Sequence, residues 1–289
     1  MSEVKKGYIC ILIAAALWAT LGPFAKLLYT HNISPMTIAY IRATLAFVIM
    51  LFILVVAGRE HLRVRPGYLP LLALYGLFGI AIFYSLYMYS IEITTIATAV
   101  FLLYTAPIFV TLLGRLIFKE ALTWLKLMAL SSSILGLFLL TAELKISTLG
   151  IMAGVGSGLT YALMSILGKA ALRRHSPWTV IIYGWGFGCL FLTVPIAIGM
   201  APKLVSIPFS SRAWLILLTM AFFPTLGAVS LYTWALKRVE ASRASIIATL
   251  EPVMASLIGV ALFDEHLTPA QAIGGGLVIV GAALAQMKD

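Results

Sequence analysis

The sequence predicts an all-α integral membrane protein of ten transmembrane helices, built as two inverted repeats of five. Three observations predict it: a composition unsuited to water, an unbroken succession of apolar runs, and a self-similarity at a spacing of 145 residues. Of the 289 residues, 62% are hydrophobic and only 10% are charged. Soluble domains carry about 25% charged residues, and a mean hydropathy of +1.06 belongs to chains that live in lipid. A net charge of +10 would point to nucleic acid in a soluble protein. In lipid it marks basic loops on one face of the bilayer, so no nucleic-acid partner is expected. Cys10 and Cys189 both fall inside apolar runs, which predicts two buried thiols and no disulfide framework.

Each apolar run is close to the ~20 residues that a helix needs to cross a bilayer. The first, Gly7–Leu28, follows Lys5 and Lys6 like a signal peptide, but it is too long for a cleaved apolar core and is read as a span. Ser34 and Pro35 open the second, Pro35–Ala57, and Arg59 closes it. Gly67–Ile91 follows the basic Arg63–Arg65 stretch, and Ile96–Phe118 runs to Lys119 and Glu120. The fifth, Thr123–Thr141, ends before Glu143 and Lys145. Thr148–Ala171 stops at Arg173 and Arg174, and Pro177–Met200 stops at Pro202 and Lys203. The last three are Arg212–Leu236, Ala241–Leu262 and Thr268–Gln286, separated by Lys237–Arg238 and by Asp264–Glu265. The short connections leave no room for a soluble domain.

Lys and Arg set the orientation. With a cytoplasmic N-terminus, thirteen of them lie in inner loops and three outside (Lys145, Lys203, Arg212), the other four being within spans. Both termini are therefore expected in the cytoplasm. The segment Ile96–Thr123 reappears as Ala241–Thr268: Pro107 falls on Pro252, Gly114 on Gly259, Phe118 on Phe263, Glu120 on Glu265 and Thr123 on Thr268. Over Tyr84–Thr123, eleven of forty residues are identical in this ungapped register. Further upstream, Trp18 meets Tyr161 and Lys26 meets Lys169, at a spacing of 143. Repeats of 1–143 and 144–289 follow, and because five is odd the second enters the membrane upside down. Inverted repeats are the usual construction of secondary transporters, with the solute site at the midplane between the halves.

The paired endings at Pro107/Glu120/Thr123 and Pro252/Glu265/Thr268, with Trp18 and Lys26 in the first span and Arg42 in the second, resemble the EamA-type transporters of the drug/metabolite transporter superfamily. The resemblance covers the whole chain. It implies alternating access around a central cavity lined mainly by spans 1, 3, 4, 6, 8 and 9, and outward transport. It implies amino acids, other metabolites, amines or drugs as substrates. One departure stands out: the second-half counterpart of Arg42 is Gly184.

Glu251 is the first candidate for function, because a carboxylate at mid-bilayer depth costs roughly 2.5–3.5 kcal/mol on insertion scales. It replaces Ala106 of the first repeat and precedes Pro252, which loosens the backbone. It can couple protons or hold a substrate amine; otherwise it is a neutral acid bonded to a neighbouring helix. Arg42 lies about 10 Å below the outer surface at 1.5 Å per residue. It can clamp a carboxylate, or serve as a structural cation bonded to carbonyls. Lys26, Arg115 and Lys169 sit near span ends and are read as snorkelling. Glu120 and Glu265 end equivalent spans on opposite faces and, with Pro107 and Pro252, are read as gate or structural elements. The two acids are expected to bond the exposed backbone at the start of the next helix. Tyr104 and Tyr161 lie mid-span, where an interfacial belt does not explain them, and with Trp18, Tyr84, Tyr87 and Tyr232 they are candidates for a solute pocket.

Gly150, Gly154 and Gly158, and Gly184 with Gly188, form close-packing stripes; they do not follow the spacing of a dinucleotide loop. No phosphate-loop pattern occurs, and the four histidines show no metal-ligand spacing. No nucleophile–base arrangement appears. The expectation is a secondary exporter of small organic solutes, amino acids or related metabolites first, with no catalytic residue, cofactor or metal. It would work in the bacterial-type inner membrane, as a monomer or homodimer and with proton coupling an option. A cationic-amphiphile efflux protein is the alternative, and an intramembrane lipid-modifying enzyme a more distant one.

Overall fold

The computed structural model describes residues 2–31, 33–141, 147–197, 210–263 and 266–287. Regular structure among them is entirely helical. The ten helices are α1 Glu3–Tyr29, α2 Pro35–Ala57, α3 Pro66–Ile93, α4 Ile96–Phe118 and α5 Trp124–Leu140, then α6 Thr148–Ala171, α7 Pro177–Ala197, α8 Ser211–Leu236, α9 Ala241–Phe263 and α10 Pro269–Leu284. Eight are long and apolar enough to cross a membrane, while α5 and α10, at 17 and 16 residues, are the short pair at equivalent places in the two repeats. The expected boundaries shift by a few residues: α1 begins at Glu3, four before the predicted start, and α3 ends at Ile93, two after the predicted end. The end expected at Met200 lies outside the described residues, as does Glu265.

Most helix starts are fixed by hydroxyl side chains, because the first N–H groups of a helix have no partner within it. Ser34 accepts from the Thr37 N–H, Thr95 from Thr98, Thr123 from Lys126 and Ser176 from Thr179, at 3.1–3.3 Å. Thr268 completes a capping box with Gln271.

Three helices break in mid-course. The α4 helix interrupts at Tyr104–Thr105, just before Pro107, and α9 at Thr249, three residues before Pro252. The α1 helix interrupts at Thr20, three before Pro23. Proline cannot donate to the carbonyl four residues back. At each break a threonine hydroxyl bonds the carbonyl three residues back: Leu102 for Thr105, Ile246 for Thr249 and Leu17 for Thr20, all within 2.6–2.7 Å. Two further distortions match across the repeats. Leu77–Ile82 of α3 and Ala221–Gly227 of α8 are π-helical, and 145 residues separate Gly79 in the first from Pro224 in the second.

Packing follows the duplication. The α6 helix lies against α3 and α4, and α1 lies against α8 and α9; α2 and α7 cover the outside, and α5 packs on α10. Exchanging the halves maps this arrangement onto itself. Glycines permit the close approaches. A Cβ on Gly136 would lie 2.5 Å from the Gly274 carbonyl oxygen, so α5 and α10 touch backbone to backbone. Gly158 lets α6 meet the break of α4, where a Cβ would lie 2.9 Å from the Leu103 carbonyl oxygen.

Candidate functional site

A cavity of about 530 Å³ occupies the centre between the two halves. It reaches the ends of α1 to α4 on one side, at Tyr29, Pro35, Ile91 and Ile96, and stops short of the face that carries the N-terminus. Beyond the six spans expected to line it, α2 contributes Pro35, Ile38, Ala39 and Arg42, and α7 contributes Trp185. The α2 wall is what brings a fixed positive charge inside.

Trp18, Arg42, Tyr84, Tyr87, Tyr104, Tyr161 and Glu251 all line this cavity, with Pro107 and Pro252 at the helix breaks. Tyr104 donates to Glu251 Oε2 at 2.6 Å, across the interface of the repeats. The breaks in α4 and α9 place the two residues there, since each stands beside the unwound turn ahead of its proline. The Arg42 guanidinium lies over the Tyr84 ring, its Cζ 4.9 Å from the centroid. Its Nε is buried without an acceptor.

Tyr232 corrects the predicted set. It does not line the cavity but is almost fully buried behind it, against Trp18 with ring centroids 5.4 Å apart. Its hydroxyl meets Ser165 Oγ at 3.3 Å and lies close to that of Tyr161. It therefore braces Trp18 and Tyr161, which do face the cavity. Sequence reasoning missed Phe83, whose ring lies 5.2–5.9 Å from those of Tyr84, Tyr87 and Tyr161 and ties them into one wall. The signal was present, since Phe83 and Tyr87 are four apart and share a helical face. Trp185 was also missed; in its stretch only the neighbouring Gly184 and Gly188 were singled out, as a packing stripe.

At the closed end, Glu120 accepts from the Ala241 N–H at 2.8 Å, from the Ser242 N–H at 3.2 Å and from Ser242 Oγ at 2.5 Å. The expected partner was the next helix. That start is already served by Thr123, whereas Glu240 at the start of α9 makes no side-chain cap, so α9 is where donors were left over. A left-handed Lys119, with φ of 59°, turns the chain back, and Gly114 leaves room for the carboxylate; a Cβ there would lie 2.9 Å from Oε2. Lys169 does more than snorkel: its Nζ lies 3.2 Å from Glu120 and donates to the Val239 carbonyl at 2.6 Å. Alongside, Glu240 pairs with Lys126 at 3.1 Å and with Arg243 at 2.9 Å. Arg243 also binds the Ala285 and Met287 carbonyls beyond α10. Charge and helix-end hydrogen bonds thus tie α4, α5, α6, α9 and the C-terminal segment into one latch.

No group of three or more potential metal ligands occurs among the described residues. A proline-broken, helix-lined cavity between two repeats, closed at one end and holding a half-buried acid, fits a membrane transporter. The EamA-like transporter family profile matches the chain twice, at residues 5–142 and 148–287, and the chain belongs to that family. An uncharacterized transporter of Archaeoglobus fulgidus is 31% identical over 98% of this chain and 97% of its own length. An uncharacterized inner membrane transporter of Salmonella typhimurium, YicL, is 23% identical over 100% of this chain and 98% of its own. A crystal structure at 18% identity shares the fold, with a TM-score of 0.82 over 97% of this chain and 96% of that one.

Proposed function

We propose that this transporter is a secondary exporter that moves small organic solutes, amino acids or related metabolites first among them, by alternating access. The observation that carries this reading is the central cavity: one acid, bonded to a tyrosine, in an aromatic chamber open at one end and latched at the other. The excess of Lys and Arg in loops on the face of the termini supports a cytoplasmic N- and C-terminus in an inner, or plasma, membrane. With that orientation the cavity faces outward. The two repeats, 1–143 and 144–289, are then the two bodies that rock about the site, and one chain contains the whole cavity. Outward direction rests on the family resemblance. Aromatic walls and Glu251 would also suit permanent cations, but the positive charge of Arg42 in the same chamber opposes them.

Glu251 is the group we assign to proton coupling. Glu251→Gln keeps the shape and removes the charge. In liposomes the variant should keep its fold yet lose pH-driven solute flux by roughly tenfold or more, the scale of one removed charge-assisted bond. Flux with an unchanged rate and pH dependence would return Glu251 to a packing role.

A further inference from the structure

Glu251 and Arg42 line one chamber, and neither is satisfied by a charge of the protein. No described Lys or Arg lies within 4.0 Å of Glu251, and no described Asp or Glu within that distance of Arg42. Glu251 uses Oε2 for Tyr104, and its other oxygen has no partner among the described residues. Arg42 lies over the Tyr84 ring and keeps a buried Nε without an acceptor. Opposite charges in an apolar surround attract strongly, so two such groups would be expected to close on each other. No ion pair joins them, and Tyr87 lines the same chamber.

We propose that the solute supplies both missing counter-charges: its ammonium docks on Glu251 beside Tyr104, its carboxylate docks on Arg42 beside Tyr84, and its apolar body lies against Phe83 and Tyr87. The site then selects small zwitterions with an apolar side chain over cations and over anions. This deepens the reading of the cavity as the transport site and rests on it. Helix position orders the two poles. Arg42 is seven residues inside the start of α2, about 10 Å from that end at 1.5 Å per residue. Glu251 is twelve residues inside the end of α9 on the same side, so about 18 Å deep. The ammonium pole is therefore the deeper one.

Binding to purified protein tests this without any transport step, so failure of export and failure of the two-pole site remain distinguishable. Trp18 and Trp185 line the cavity and report occupancy by fluorescence. The probes are leucine, phenylalanine, phenylalaninamide, which lacks the carboxylate, and 3-phenylpropanoate, which lacks the ammonium. Phenylalanine should bind roughly tenfold or more tightly than either analogue, since each leaves one pole unpaired. Arg42→Gln should weaken phenylalanine and erase its advantage over the amide alone, while Glu251→Gln should erase its advantage over the propanoate alone. Retained secondary structure and melting temperature exclude misfolding as the cause. Equal binding of the three aromatic probes, equal losses for all of them in either variant, or no saturable binding of leucine and phenylalanine would each overturn the proposal.

Discussion

Glu120 is almost fully buried, and burial by itself pushes its carboxyl upward. The Ser242 hydroxyl, the Lys169 charge and the two N–H groups of α9 outweigh burial and hold it below the ordinary value of 4.5. A group whose folded pKa is depressed contributes stability that is present above the unfolded value and lost as pH falls through the folded one. The latch is therefore at full strength at neutral pH. Glu120→Gln should lower stability by about 1.5–3 kcal/mol, the range for hydrogen bonds to a charged group. Thermal unfolding in detergent would show that loss as constant near neutrality and shrinking only in acid. A cysteine at Ser245, on the cavity wall near the latch, should at the same time become more reactive from the terminal face. The sequence showed that Glu120 ends its span in register with Glu265 and that it would serve a helix start. It could not show which start, because that depends on where donors remain after Thr123 has capped α5.

At the scale of elements, the ten spans were legible because charge and proline punctuate apolar runs of membrane length. The breaks of α4 and α9 follow from Pro107 and Pro252. The π-helical turns of α3 and α8 were not legible, since Gly79 and Pro224 are different residues and disturb a helix for different reasons. Pro224 withholds an N–H. Gly79 leaves no side chain where Met164 of α6 presses in. Both turns border the cavity and match across the repeats, so if the halves alternate they are where each half would bend. Pro224→Ala restores a donor and should leave melting unchanged or raised, while turnover in liposomes falls severalfold as α8 straightens. The α5–α10 seam should behave in the opposite way. Gly274→Val drives a side chain into the Gly136 carbonyl and the Leu140 N–H, backbone atoms that have no room to yield. Overpacking of this kind costs about 1–3 kcal/mol or more, so the melting temperature should drop.

For the whole molecule, the sequence placed two similar halves around a chamber holding Trp18, Arg42, Tyr104, Tyr161 and Glu251. Depth along a span can be counted, and it puts all of these residues well inside the membrane, Arg42 nearest the outer end. Rotation about a span is harder to read in helices that are apolar all round. Tyr232 was for that reason assigned to the cavity when it stands one layer behind, and Trp185 was passed over. Pairing across the molecule, as between Lys169 and Glu120, has no trace in a one-dimensional reading. If the halves alternate, the latch must part in every cycle, because Glu120 belongs to the first repeat and Ala241–Ser242 to the second. A double variant with cysteines at Glu120 and Ser242 places two thiols where carboxylate and hydroxyl now touch. Joined by oxidation or by a short bifunctional maleimide, they should hold the terminal face shut. Solute flux should fall below about a tenth of the reduced protein's, the equivalent of about 1.4 kcal/mol or more, and oxidised protein should recover with reductant. Binding from the open side should persist, because the cavity itself is untouched. Full flux through the cross-linked protein would mean that this face never opens, and that the cavity is a pocket with one entrance.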